Sequence, residues 1–114
     1  MHELSIALGI VKIAEEESRK AAATKVNSIE LEIGIMSGIE LDSLDFAWPV
    51  AVKDTVLEGA HREIDWIEAK ARCAECQFEF DVENSFDTCP RCKSYFKDIY
   101  KGKELRVKSL EIEN

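Results

Sequence analysis

Residues 73–92 read CAECQFEFDVENSFDTCPRC, and this stretch decides the fold: Cys73 and Cys76 form one Cys-x-x-Cys pair, Cys89 and Cys92 a second. Twelve residues separate the pairs, and they hold all four cysteines of the chain. Four thiolates from two tight knuckles fill the tetrahedral shell of one Zn²⁺, and a closed all-sulfur shell leaves no position for water or substrate. The expected metal is therefore structural. A segment of about thirty residues buries too little apolar surface to fold alone, whereas structural zinc supplies an apparent ~10 to 16 kcal/mol in small zinc peptides. Cys89-Pro90-Arg91-Cys92 also looks like a dithiol redox motif. No strand-helix-strand frame surrounds it, and a second pair lies within reach, which favours metal over a thiol oxidoreductase.

Between the knuckles, Phe78, Phe80 and Val82 alternate and Asn84-Ser85 offers a turn, so a hairpin is expected there. Upstream, Arg62 to Arg72 reads as one extended strand leading into the first knuckle. Downstream, Gly102 precedes a final strand from Glu104 to Glu113. In it Leu105 and Val107 share one phase and Leu110 and Ile112 the other, which places a bulge near Lys108-Ser109. A strand of that length must find a partner for its backbone, so its return to the main sheet is expected, with the cysteine module inserted between two strands.

The remainder reads as an α/β body. Leu4, Leu8 and Val11, beside Ile6, Ile10 and Ile13, give a broad apolar face on a helix from Leu4 to about Ala23. Ile29, Leu31, Ile33 and Ile35 alternate with Glu30, Glu32 and Gly34 as in a half-buried strand. After Ser37-Gly38, the residues Leu41, Leu44, Trp48, Ala51 and Val52 recur at helical spacing, with Asp42 or Ser43 as N-cap. Pro49 falls inside that pattern and predicts a kink or a start near Asp45. The expected architecture is α/β (α+β), with two helices on a three-stranded sheet and an inserted zinc ribbon. Its two parts are residues 1–69 plus 104–114 and residues 70–103.

The net charge is −8 over 114 residues. It divides unevenly: residues 1–69 carry −8, residues 70–103 carry +1 and residues 104–114 carry −1. A nucleic-acid binder should show a basic footprint, and only Arg91, Lys93, Lys97, Lys101 and Lys103 approach one. Nucleic acid is disfavoured. The longest apolar run, Phe46 to Val52, is far too short for a bilayer, and Glu3 and Glu15 to Glu17 spoil a signal peptide. No membrane association is expected, and the cytoplasm, where such cysteines stay reduced, is the expected compartment.

The chain opens Met1-His2-Glu3, read as having no leader before it. The α-amine of Met1, the backbone nitrogen of His2 and its imidazole Nδ1 can chelate one ion through fused small rings, and the amide of Glu3 can complete a planar set. Planar nitrogen coordination suits Ni²⁺ or Cu²⁺, and copper binds such sites more tightly, so these residues alone leave the metal open. His61 reads as an exposed loop residue without a second donor at ligand spacing. Glu40, Asp42 and Asp45 read as solvated acids. No nucleophile-base pair, phosphate loop or open zinc site is present, so an enzyme is not expected.

Met1-His2-Glu3-Leu4-Ser5-Ile6, Ile33-Gly34-Ile35-Met36-Ser37-Gly38, Leu44-Asp45-Phe46-Ala47, Glu58-Gly59-Ala60, the double Cys-x-x-Cys and Gly102-Lys103-Glu104-Leu105 together resemble the HypA/HybF family of hydrogenase nickel-incorporation proteins. The resemblance covers nearly the whole chain. It implies a nickel metallochaperone, with His2 as a nickel ligand and Cys73, Cys76, Cys89 and Cys92 holding zinc. It also implies a HypB-type nickel GTPase and the [NiFe]-hydrogenase large-subunit precursor as partners. Lys93 departs from the family pattern, standing where a glycine commonly follows the second knuckle, as do Glu40-Leu41 and Pro49 in the second helix. The rival reading is a zinc-ribbon interaction adaptor without nickel binding.

Overall fold

The computed structural model describes residues 2–113. In chain order the elements are α1 (His2–Lys20), β1 (Lys25–Gly34), α2 (Leu41–Val52), β2 (His61–Ile67), β3 (Ala69–Cys73), β4 (Glu79–Val82), β5 (Lys97–Lys101) and β6 (Leu105–Glu113). Two three-stranded sheets form, in the orders β2-β1-β6 and β4-β3-β5. Two helices, a sheet completed by the last strand and a cysteine-bearing subdomain make the α+β architecture that the sequence predicts. The described chain divides into two compact units: residues to Leu31, Ile39–Ile64 and from Val107 onward in one, Glu32–Gly38 and Asp65–Arg106 in the other.

In the first unit, α1 buries Ala7, Ile10, Val11, Ala14 and Ser18. This is a single stripe at three- and four-residue spacing, narrower than the face expected from the sequence. Leu8 and Ile13 lie outside it and are exposed. The helix starts at His2 rather than Leu4 and stops at Lys20 rather than near Ala23. Its end is a Schellman turn: the N–H of Ala23 donates to the Ser18 carbonyl at 2.8 Å and that of Ala22 to Arg19 at 3.1 Å. Ala22, at φ 55°, takes the left-handed position that glycine usually fills. In β1, Ile29 and Leu31 are buried between half-buried Glu30 and Glu32, as the alternation predicts.

α2 packs against α1. It runs unbroken from Leu41 with Pro49 inside it, so neither a start near Asp45 nor an N-cap at Asp42 or Ser43 is realised. The N-cap is Glu40, whose own side chain makes no cap hydrogen bond. The carboxylate of Glu3 supplies one instead, accepting the Glu40 N–H at 3.3 Å. Its charge thus favours the positive start of α2. Arg62 of β2 pairs with Asp45 and lies over the Trp48 ring at 4.9 Å, pinning the solvent side of α2.

In the second unit, β1 ends at Gly34, and Ile35 is an exposed turn residue rather than a buried member of the strand. A side chain at Gly34 would place its Cβ 1.9 Å from the carbonyl oxygen of Gly102. That close approach is held by hydrogen bonds from Met36 N–H to Gly102 at 2.7 Å and from Gly34 N–H to Glu104 at 2.8 Å. The expected strand from Arg62 to Arg72 is two strands, broken at Glu68, because its halves join different sheets. Nor do the knuckles enclose a hairpin. β4 folds back antiparallel onto β3, with Arg72 opposite Glu79, and β5 pairs with the other edge of β3, with Cys73 opposite Lys97. One face of this sheet carries Ala69, Ala71 and Val82 with Met36, Phe80 and Ile99. The other carries the ion pairs Lys70–Asp81 and Arg72–Glu79.

Candidate metal centres

The two knuckles are built alike, because a Cys-x-x-Cys turn brings backbone N–H groups onto the first sulfur. Cys73 N–H donates to the Phe78 carbonyl at 2.8 Å and Cys89 N–H to that of Ser94 at 2.9 Å. Four residues after each leading cysteine, Gln77 and Lys93 donate back to its carbonyl at 3.0 and 2.8 Å. Both take left-handed backbone, at φ 67° and 69°. The N–H groups of Cys76 and Cys92 reach the sulfurs of Cys73 and Cys89, each at 3.5 Å.

All four sulfurs lie within 4.8 Å of one another. The short approaches run between knuckles, with Cys73 and Cys92 at 3.5 Å and Cys76 and Cys89 at 3.6 Å. A tetrahedron of thiolates at the zinc–sulfur bond length has edges of about 3.8 Å, so the donor set and its size fit one such ion. Cys73 and Cys89 are buried, Cys76 is half-buried and Cys92 is exposed. Among the described residues, no other group of three or more His, Cys, Asp or Glu side chains brings its ligand atoms together.

The surroundings divide the thiols. The Cys76 N–H lowers Cys73 to about 7, helped by the Glu75 N–H against burial. Burial opposes the thiolate of Cys89, but the N–H groups of Cys92 and Arg91 outweigh it and bring the pKa down. The Phe78 N–H favours a thiolate at Cys76, yet burial and the adjoining Cys89 push it up. Cys92 receives the Ser94 N–H, but the adjoining Cys73, burial and the other two cysteines drive it up to about 12. Four sulfurs at these distances cannot all carry charge unless a cation lies among them. A bound metal ion supplies that charge and deprotonates the thiols that coordinate it.

At the other candidate site, Met1 lies outside the described residues. His2 opens α1 with its imidazole about two-thirds exposed, and Nδ1 lies 3.7 Å from Oε2 of Glu3. The first four N–H groups of an α-helix have no acceptor within it, so a helix starting at His2 leaves the amides of His2 and Glu3 uncommitted to it. Glu3 is nearly buried, and its carboxyl is held below the usual carboxylate range by the Glu40 N–H. No sequence signal announces that bond, which joins residues 37 apart. His61 is the first residue of β2 rather than a loop residue, exposed and 3.2 Å from Glu63 Oε1. Asp45, expected to be solvated, is paired with Arg62.

A sequence profile described as "Hydrogenase/urease nickel incorporation, metallochaperone, hypA" matches residues 1–112. The chain belongs to the HypA family. The hydrogenase maturation factor HypA of Parabacteroides distasonis is 46% identical over 112 residues, spanning 98% of this chain and 97% of that protein. That of Alkalilimnicola ehrlichii is 40% identical over 113 residues, 99% and 100% of the two chains. The fold is also that of the Ni metallochaperone HypA from Helicobacter pylori in its solution structure, with a TM-score of 0.71 over 96% of each chain at 24% identity. The HypA family is one of nickel-incorporation metallochaperones for hydrogenase maturation, described by metal handling rather than by a catalysed reaction. No helix among the described residues is long and apolar enough to cross a membrane.

Proposed function

We propose that this chain binds Ni²⁺ at Met1-His2-Glu3 and delivers it, in the cytoplasm, to the large-subunit precursor of a maturing [NiFe]-hydrogenase, together with a HypB-type nickel GTPase. On this reading residues 1–69 plus 104–114 are the nickel-binding α/β domain. Residues 70–103 are a zinc ribbon holding one structural Zn²⁺ on Cys73, Cys76, Cys89 and Cys92. Nickel is cargo, and the chain is not an enzyme.

The observation that carries the reading is the helix start at His2 in a member of this family. It supports a planar set drawn from the Met1 amine, the amides of His2 and Glu3 and the His2 Nδ1. The exposed imidazole leaves the ion open to attack by a receiving ligand, as a protein that must also release its metal requires. Glu3 serves through its amide, while its carboxylate stays on the Glu40 N–H and fixes the terminal turn against α2.

The test is nickel binding by untagged protein beside His2→Ala and a variant with residues added before Met1. The parent should take up one nickel with planar absorption bands, His2→Ala should lose it with the helical signal unchanged, and the extended chain should bind more weakly. Parent-like nickel in His2→Ala refutes the site. Zinc without nickel in the parent favours the interaction adaptor.

A further inference from the structure

The segment between β4 and β5, residues 83–96, contains no strand yet carries the second knuckle. Its first turn is closed by Asp87, whose Oδ2 accepts the N–H groups of Glu83 and Asn84 at 2.8 and 3.0 Å. Its return is tied down by the Ala74 N–H, which donates to the Phe96 carbonyl at 2.8 Å. Between those points one side chain collects three backbone carbonyls. Nζ of Lys97 donates to the carbonyls of Ser85 at 2.8 Å, Asp87 at 2.7 Å and Tyr95 at 3.4 Å. An ammonium has three donors and no acceptor, so this arrangement uses its full capacity.

Lys97 stands directly across the sheet from Cys73, the leading ligand of the first knuckle. Two of its three acceptors lie just upstream of Cys89, the leading ligand of the second. We propose that Lys97 is a positioning residue for the metal centre, its tripod of carbonyl bonds holding the second knuckle at the spacing from the first that four sulfurs need to share one ion. This rests on the zinc reading of the cysteine quartet. Without Lys97, a segment that has no sheet of its own is left to the Asp87 turn, the Ala74–Phe96 bond and the metal for its order. Groups that orient metal ligands without touching the metal typically contribute 10- to 100-fold in affinity. The three donors of an ammonium diverge from one nitrogen, whereas a guanidinium offers a planar fork, so charge alone does not replace Lys97.

The test uses the full chain, with zinc affinity and release rate measured by competition with a chromophoric chelator, and Co²⁺ spectra recorded in parallel. Lys97→Met should weaken zinc about 10- to 100-fold, chiefly through faster release. Its Co²⁺ spectrum should remain that of four thiolates. Lys70→Met, which removes an exposed ammonium paired with the Asp81 carboxylate, should stay within about twofold of the parent, since exposed pairs contribute little. If Lys97→Met is recovered only unfolded, Lys97→Arg decides: zinc release several-fold faster than the parent supports the tripod. Parent-like affinity and release in Lys97→Met or Lys97→Arg overturn the inference, as does an equal loss in Lys70→Met. A parent that binds no zinc overturns the zinc reading and this inference together, whereas failure with a zinc-loaded parent overturns the inference alone.

Discussion

The unit containing both helices and the unit containing the cysteines reach burial by different chemistry. In the first, Val26, Ile29, Leu31, Leu44 and Leu57 are fully buried, each contributing roughly 1.5 to 3 kcal/mol by leaving water. In the second, the fully buried large side chains are Ile33, Val82, Cys73 and Cys89. The face of the sheet that presents the first knuckle buries Ala69, Ala71 and Val82, with half-buried Met36, Phe80 and Ile99 packed against them. Aliphatic volume sustains the first unit, while the second adds buried sulfur and backbone N–H···S bonds to a smaller apolar cluster. One part should therefore respond to solvent and temperature, the other to metal.

The largest predicted effect tests that division directly. On the proposed zinc reading, removing the metal with a chelator, or replacing Cys73 with serine, should withdraw a stabilisation on the order of 10 kcal/mol from the cysteine subdomain. The aromatic circular dichroism of the ribbon should disappear while the far-ultraviolet helical signal remains. Simultaneous loss of both would show that the helical unit has no stability of its own, and the comparison would fail.

Glycines provide the next contrast. Gly34→Ala drives a Cβ to within 1.9 Å of a backbone carbonyl that cannot move without breaking the hydrogen bonds around Gly102. A loss above about 4 kcal/mol is expected. Gly9, in the middle of α1, has nothing within 4 Å of its Cβ position, and Gly9→Ala should gain about 1 kcal/mol from helix propensity. Urea unfolding of zinc-loaded protein measures both, and equal effects would mean that the close approach at Gly34 is not tight in solution.

Within the helical unit, Ser18 occupies the buried stripe of α1, and among the described residues its hydroxyl has no hydrogen-bond partner. Ser18→Ala removes that polar atom from an apolar core and should stabilise by about 1 kcal/mol. A lower thermal midpoint would reveal a partner for the hydroxyl, such as a water molecule.

The smallest effect concerns the ribbon's wet face. The Arg72 guanidinium, with the Tyr100 hydroxyl, holds Glu79 below the usual carboxylate range. The folded pKa lies below the unfolded one, so the pair contributes fully above the ordinary carboxylate range and is lost as pH falls through the folded value. Glu79→Gln should therefore be slightly less stable than the parent near neutrality, with the two converging in acid. A difference that grows on acidification would reverse the assigned sign.

Local chemistry was legible in the sequence wherever a single residue type or a short period dictated the outcome. The Cys-x-x-Cys spacing fixes each knuckle because N–H groups three residues along fall on the first sulfur. Ile29, Leu31 and Ile33 alternate because a strand has a period of two. Lys93 was legible as a departure, and it does sit in the left-handed backbone that glycine favours, with Gln77 in the matching turn. Legibility failed where packing chose among equivalent options: Ala7 and Ala14, not Leu8 and Ile13, face the core of α1. α2 takes Pro49 into its interior and obtains its cap hydrogen bond from Glu3, a residue of another helix.

By itself the sequence determined the spacing of the four cysteines, the central strand and the existence of both helices. Only the tertiary structure decided that Cys73 meets Cys92 and Cys76 meets Cys89, that β3 lies between β4 and β5, and that Lys97 gathers three carbonyls. It also decided that Glu3 closes on Glu40. Periodicity and turn chemistry act over three or four residues, where backbone geometry leaves few alternatives. These pairings join residues up to 37 apart, and at such separations the path of the whole folded chain, rather than any local rule, determines which groups meet.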